Sequence, residues 1–191
     1  MEKSKATNWR DCIEFIVKEF AEKEKRQDEV LQLSRQIIRE SASAIKDIHT
    51  GNIAGAKEGL TRIGGLAAHM REIDHGLENI SFQCYQEFVE ISSLLAVYEH
   101  REFPTHEELK VTPVAYLNGL ADCSGELRRA LQNSLLAGKK KQAEYYFGKM
   151  NELYDNLMLV KFSSSLVGPL KHKQDVLRGQ LEAARSEMLR K

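Results

Sequence analysis

Apolar residues recur along this chain at intervals of three and four positions, and no stretch sustains the two-residue alternation of a strand. The longest helical pattern runs from about Thr7 to Ile48. At 1.5 Å per residue it predicts a helix about 60 Å long. Because that length exceeds the diameter of a small domain, the pattern predicts an elongated bundle or a contact between subunits.

Turn and capping signals divide the rest of the chain. Gly51 begins a turn signal, Thr105 with Glu108 forms a capping box, and Thr112 followed by Pro113 marks a helix start. Together these signals predict an all-α, antiparallel bundle of about six or seven helices, in a single domain that covers residues 1–191. The longer helices after the first are predicted to end near Asp74, His100, Leu136, Phe162 and the end of the chain.

Charge and composition limit the classes of protein to which this chain could belong. Lys plus Arg and Asp plus Glu number 28 each, so the chain has no general attraction to a polyanion, and any nucleic acid must be held by a local basic patch. No apolar run is long enough to span a bilayer, and the first residues lack an apolar signal core, which together predict a cytoplasmic protein. Three widely spaced cysteines predict free buried thiols rather than disulfides.

The third helix carries a carboxylate where an apolar side chain is expected. On a helical wheel, Glu87 falls near the centre of the apolar face, and Glu90 lies at the edge of that face. A carboxylate in an apolar stripe is unfavourable unless it is neutralised, hydrogen-bonded or bound to a cation. Glu87 and Glu90 are therefore candidates for a functional site.

The fourth long helix carries Asp122 and Glu126 one turn apart on a single face. That face also contains Ala115, Gly119 and Ala130, whose small size lets a neighbouring helix come close. If the two helices face each other, four carboxylates converge, and two charges 4 Å apart repel by about 4 kcal/mol at an effective dielectric near 20. All-oxygen ligands suit Mg²⁺, Mn²⁺ or Ca²⁺.

Spacing alone leaves a different interpretation open. Glu87 could pair with a buried arginine or lysine, while Asp122 and Glu126 could be solvated surface residues, because acids at this spacing are common on helices.

Two segments around these acids resemble signature segments of the translin family. They are YQEFVE, from Tyr85 to Glu90, and LNGLADCSGELRR, from Leu117 to Arg129. The likeness extends from about residue 8 to the end and is closer to the archaeal-type members of the translin-associated factor X (TRAX) branch. It implies a translin-like bundle assembled into a hollow homo-oligomeric shell, often an octamer, that binds single-stranded RNA or DNA.

For the TRAX branch the resemblance further implies a metal-dependent endoribonuclease that cleaves single-stranded RNA. Matched by motif, Glu87, Glu90 and Asp122 are its catalytic and metal-binding acids, with Glu126 as the fourth, and the cofactor is Mg²⁺ or Mn²⁺. The alternative is a non-catalytic, translin-like protein that binds single-stranded RNA or DNA. A purely structural helical oligomer is a third hypothesis, but it leaves Glu87 unexplained.

Six basic residues are candidates for nucleic-acid contacts, although each has a competing role as a solvated or ion-paired surface residue. Two follow the acidic helix segment, two lie one turn apart on the first helix, and two belong to the densest basic run. In that order they are Arg128, Arg129, Arg35, Arg39, Lys139 and Lys140.

Overall fold

The structure is helical, as the apolar periodicity predicts. The computed structural model describes residues 8–190, and this range contains eight helices and no strand. Residues 1–7, where an apolar signal core is predicted to be absent, and Lys191, the last residue of the predicted domain, lie outside it. The helices are α1 (Trp9–Thr50), α2 (Ile53–Ile73), α3 (Glu78–Tyr98), α4 (His106–Leu109), α5 (Pro113–Leu136), α6 (Lys140–Leu157), α7 (Ser164–Val167) and α8 (Leu170–Leu189).

Local hydrogen bonds begin and end these helices at the predicted signals. Gly51 ends α1 at a φ of 83°, a left-handed conformation that glycine adopts without strain. The Thr105 hydroxyl accepts from the Glu108 amide, and the Glu108 carboxylate accepts from the Thr105 amide, which forms the capping box of α4. The Thr112 hydroxyl accepts a hydrogen bond at the start of α5, where Pro113 occupies the first turn.

The end of α6 differs from the prediction. Helix α6 ends at Leu157 rather than near Phe162, and the single-turn helix α7 follows before α8 begins. Leu159 and Phe162 are exposed, so no apolar burial favours a helix that continues past Leu157. The Gln174 amide of α8 donates to the carbonyl oxygens of Leu157 and Val160, at 2.7 and 3.1 Å, and satisfies groups left unpaired where α6 ends.

Helix α3 lies at the centre of the bundle and packs against α1, α2 and α5. Its buried residues occur on almost every side of the helix, from Ser81 to Val97. Helix α5 packs in turn against α3, α6 and α8. The side chains that α3 and α5 direct towards each other are therefore removed from most of the surrounding water.

The first part of α1 projects from the bundle. The helix has 42 residues, and the first of them to be buried is Val30. Before it, Trp9, Ile13, Val17 and Phe20 are exposed, with 72% of Trp9 and 65% of Phe20 accessible. The long helix is therefore as predicted, and its N-terminal part presents an apolar stripe. Neither α1 nor any other helix within residues 8–190 is long and apolar enough to cross a membrane.

The three cysteines are free thiols, as predicted. Cys84 and Cys123 are buried, whereas Cys12 is exposed on the projecting part of α1, so the prediction of burial is wrong for Cys12. It fails there because that part of the helix has no neighbouring helix to cover it.

Candidate active site

Helices α3 and α5 approach closely at Gly119. A Cβ atom at this position would lie 2.6 Å from the main-chain oxygen of Gln86 and 2.7 Å from the Cβ atom of Val89. Ala115, one turn earlier on α5, is fully buried. The small residues on the acidic face thus permit the close approach that the sequence predicts, and they bring the carboxylate-bearing parts of the two helices together.

The carboxylates open onto a cleft of about 510 Å³. Acids from α3 and α5 form one side of it, and α8 forms the other. Three of the four predicted acids, Glu87, Glu90 and Asp122, line this cleft, and Glu126 acts electrostatically on Glu87 and Glu90. The lining residues are Glu87, Glu90, Ala121, Asp122, His172, Lys173, Val176 and Gln180.

The two acids of α3 have raised pKa values. Burial raises the pKa of Glu90 to about 8, with further increases from the charges of Glu87, Asp122 and Glu126. Burial and the charge of Asp122 raise the pKa of Glu87 as well. Glu90 is the more deeply buried of the two, although the helical wheel placed it at the edge of the apolar face. The difference arises because α5 covers that edge.

Asp122 on α5 forms an ion pair with Lys173 of α8. The same ammonium donates to the side-chain oxygen of Gln86 at 2.5 Å and to the main-chain oxygen of Asn118 at 3.4 Å. About a third of the Asp122 side chain and a fifth of the Lys173 side chain are exposed. The interpretation of Asp122 as a plain solvated acid is therefore wrong, because a lysine of another helix neutralises it.

Glu126 on α5 forms a hydrogen bond with His49, near the end of α1. The distance between the Glu126 carboxylate and Nε2 of His49 is 2.5 Å, and only 4% of the His49 side chain is exposed. The Tyr98 hydroxyl lies 3.2 Å from Nδ1 of the same ring. The hydrogen bond from His49 lowers the pKa of Glu126, and the charge of Arg129 lowers it further. Glu126 is thus ionised and fixed in position by His49, rather than free in solvent.

The ligand atoms that the four acids offer are of the kind that a hard divalent cation prefers. Four carboxylates supply oxygen ligands only, and the raised pKa of Glu90 is the effect that a bound cation would reverse. Within residues 8–190, however, no three His, Cys, Asp or Glu side chains are arranged to hold a metal ion. Lys173 and His49 engage Asp122 and Glu126. The acids therefore have suitable chemistry and a suitable place in the fold to bind an ion. Binding requires that their side chains rearrange, because Lys173 and His49 engage two of them.

The predicted basic residues lie elsewhere than in the cleft. Arg128 is half-buried and pairs with Glu187 at 2.5 Å, whereas Arg129 is exposed, 3.7 Å from the Glu126 carboxylate. Arg35 and Arg39 are exposed on α1, and Nε of Arg35 donates to the main-chain oxygen of Leu31. Lys139 and Lys140 are exposed at the start of α6.

The sequence interpretation missed three residues of the site: His49, His172 and Lys173. His49 lies near the end of the long first helix, and the other two follow Gly168 and Pro169 at the start of the last. No local pattern distinguishes them from surface residues, since His49 and Lys173 meet the acids through contacts across 77 and 51 sequence positions, and His172 lines the cleft from the same helix as Lys173. The one available signal was their position in the first or last turns of helices, where side chains often serve as partners for other helices.

The sequence matches the family described as "Translin family" over residues 7–184. The chain belongs to the translin family. This translin-family protein is 30% identical over 183 residues to an uncharacterized protein of Methanocaldococcus jannaschii, a match that covers 94% of this chain and 82% of the relative.

Solved structures agree with the family assignment. The chain in the crystal structure of AfC3PO is 32% identical to this one, and the chain in the structure of an AfC3PO–duplex RNA complex is 31% identical. Each match has a TM-score of 0.85 and covers 93% of this chain. These matches cover 95% and 94% of the respective AfC3PO chains. A structure of apo-NeC3PO, also with a TM-score of 0.85 but 21% identical, shares the fold; that match covers 93% of this chain and 95% of the other.

Proposed function

We propose that this translin-family protein is a TRAX-like, metal-dependent endoribonuclease that cleaves single-stranded RNA within a homo-oligomeric, octamer-type shell. The observation that carries the proposal is the pKa of Glu90, about 8, in a cleft shared with Glu87 and Asp122. Carboxyl groups with strongly shifted pKa values, gathered in a cleft, cluster at functional sites. A merely structural bundle gives no reason for these acids to converge.

The residues of the cleft would have distinct roles. Glu87, Glu90, Asp122 and Glu126 would hold Mg²⁺ or Mn²⁺, which when bound would polarise the scissile phosphate and lower the pKa of a water molecule. A carboxylate of this set that is not engaged as a ligand would take up the proton that the water releases, as general acid–base chemistry requires. The hydrogen bond from His49 keeps Glu126 ionised and therefore able to act as a ligand.

Two further observations support nucleic-acid binding in an oligomer. AfC3PO, 31% identical and alike in fold, has been solved in complex with duplex RNA. The net charge of zero requires local binding groups, and the exposed His172 lines the cleft beside the acids. The exposed apolar stripe of α1, around Trp9 and Phe20, supports a contact between copies of this chain.

A specific observation favours the second candidate, a non-catalytic protein that binds single-stranded RNA or DNA. Two of the four acids already have basic partners within the chain, Lys173 for Asp122 and His49 for Glu126. If these pairs persist in solution, the cleft holds too few available ligands for catalysis.

The test is incubation of labelled single-stranded RNA with the purified protein, with Mg²⁺ or with EDTA. We expect cleavage that requires Mg²⁺ and falls by at least about a hundredfold in Glu90→Gln and in Asp122→Asn, since each removes a ligand. Glu144→Gln is the matched control, because Glu144 is exposed on α6. A parallel reaction with duplex RNA measures the preference for single strands.

The two candidate functions give different outcomes. RNA retention without cleavage, under every metal condition, would refute the nuclease and leave the binding protein. Binding measured at increasing salt concentrations should weaken steadily, because phosphate contacts release counterions. Neither binding nor cleavage would leave only a structural helical oligomer.

A further inference from the structure

A lysine side chain lies inside the acidic cleft. Lys173 projects from the first turn of α8, and only 20% of its side chain is exposed. Its ammonium has three acceptors within reach: the Asp122 carboxylate, the Gln86 side-chain oxygen and the Asn118 carbonyl. An ammonium group carries three N–H donors, so this set can satisfy all of them. Lys173 therefore has a defined position rather than a range of solvated ones.

The charge of Lys173 acts on more than its direct partner. It pairs with Asp122, and it also lowers the pKa values of Glu87 and Glu90, in opposition to the effect of burial. Lys173 is thus the ion-pair partner of Asp122 and, without direct contact, a weaker positive charge that acts on Glu87 and Glu90.

We propose that Lys173 is an internal competitor for the divalent cation, holding the Asp122 carboxylate until an ion displaces it and thereby setting the ion affinity of the cleft. This inference rests on the proposed function, because it takes these carboxylates as the ligands of the ion. An ammonium and a divalent ion repel each other strongly at hydrogen-bonding distances. They cannot both lie against the same Asp122 oxygen.

Displacement does not leave the lysine without partners. Gln86 and Asn118 still offer it two acceptor oxygens, neither of which belongs to a predicted ligand. The competition therefore concerns the Asp122 carboxylate itself. Removing the positive charge should tighten ion binding, whereas a lysine that merely orients Asp122 would leave binding weaker after its removal.

The experiment is titration of the full chain with Mn²⁺ in a calorimeter, without RNA. The variants are Lys173→Met, which keeps the apolar stem, and Lys173→Gln, which keeps a donor for Asp122. We expect both to bind Mn²⁺ about tenfold more tightly than the unaltered chain, because both remove the competing charge. Lys171→Met is the control, since Lys171 is exposed on the same helix, and its Kd should be unchanged.

Thermal unfolding provides a second readout that needs no catalytic activity. With EDTA, Lys173→Met should unfold at a lower temperature because Asp122 loses its ion-pair partner, and saturating Mn²⁺ should raise its Tm more than that of the unaltered chain. Unchanged or weaker Mn²⁺ binding in both Lys173 variants overturns the inference. If the unaltered chain still cleaves RNA in a metal-dependent way, the proposed function survives that result; if no form binds Mn²⁺ or cleaves RNA, both fail.

Discussion

The two helices that supply the acids of the cleft differ in what balances their charges. On α5, Asp122 pairs with Lys173, and Glu126 pairs with His49. On α3, neither Glu87 nor Glu90 has an ion pair with a basic side chain within residues 8–190. The pKa of Glu126 is accordingly lowered, whereas those of Glu87 and Glu90 are raised. The same residue type thus has opposite electrostatic character on facing helices.

The buried acids of the two helices therefore support different conclusions. The acids of α5 are held by partners from α1 and α8, and so contribute to the packing of those helices. The acids of α3 are unfavourable when ionised, because only a proton or an added cation can neutralise them. Glu90 therefore carries the strongest physical argument for a function, and Glu126 the weakest.

The largest expected effect comes from forcing the two helices apart. Gly119→Ala would place a Cβ atom 2.6 Å from the main-chain oxygen of Gln86, which cannot rotate away as a side chain would. We expect the free energy of unfolding to fall by about 3 kcal/mol, the upper part of the range for overpacking. The variant should also lose Mn²⁺ binding, because Asp122 moves away from Glu87 and Glu90.

Chemical denaturation and Mn²⁺ titration measure both effects. Gly148→Ala is the matched control, since nothing lies within 4 Å of a Cβ atom at that position of α6. It should stabilise the protein by roughly 0.5 to 1 kcal/mol, the usual gain within a helix. Equal stability of the two variants would show that the acids of α3 and α5 do not depend on this close approach.

The fold was largely predictable because its signals are local. The Thr105 capping box, the Pro113 helix start and the Gly51 turn each depend on neighbouring residues, and all occur as predicted. The end of α6 was not predictable, because the apolar character of Leu159 and Phe162 does not reveal that they are exposed.

The acids of the site could be found from the sequence, but their partners could not. Glu87 and Glu90 stand out in an apolar helix, and the segment around Asp122 resembles a family signature. His49 and Lys173 lie 77 and 51 positions away from their respective carboxylates. Such pairs are decided by how helices pack, so no spacing rule along the chain identifies them. The opposite pKa shifts of Glu90 and Glu126 depend on those same long-range contacts and on burial.

The second prediction concerns the uncompensated acid. Glu90 has a folded-state pKa of about 8, above its usual value of 4.5. The stability associated with its protonation is present below pH 4.5 and is lost as the pH rises through 8. With EDTA present, Glu90→Gln should therefore match the unaltered chain near pH 4.5 and exceed its stability by at least about 2 kcal/mol at pH 8.5.

Urea denaturation at several pH values measures this difference. Glu87→Gln should show the same sign with a smaller gain, because Glu87 is less deeply buried. A Glu90→Gln protein that is less stable than the unaltered chain at pH 8.5 would mean that a hydrogen-bond partner holds the ionised carboxylate, and the contrast between α3 and α5 would disappear.

The smallest expected effect has the opposite sign and comes from the compensated acid. Glu126 has a lowered folded-state pKa, so its contribution to stability is present above its usual value of 4.5 and is lost as the pH falls through the folded value. Glu126→Gln should reduce the free energy of unfolding by about 1 kcal/mol at pH 7, because the nearly buried His49 loses a charged partner. The loss should shrink on acidification, as Glu126 of the unaltered chain becomes protonated.

Urea denaturation at pH 7 and in mild acid, again with EDTA, measures the change. Glu182→Gln is the control, since it removes an exposed partner of Arg185 on α8 and should alter stability by less than about 0.5 kcal/mol. If Glu126→Gln stabilises the protein at pH 7, as Glu90→Gln should at higher pH, then His49 does not balance Glu126. The charge of Glu126 would then be uncompensated, like the charges of Glu87 and Glu90. Glu126 would join those two acids as a ligand that requires a cation.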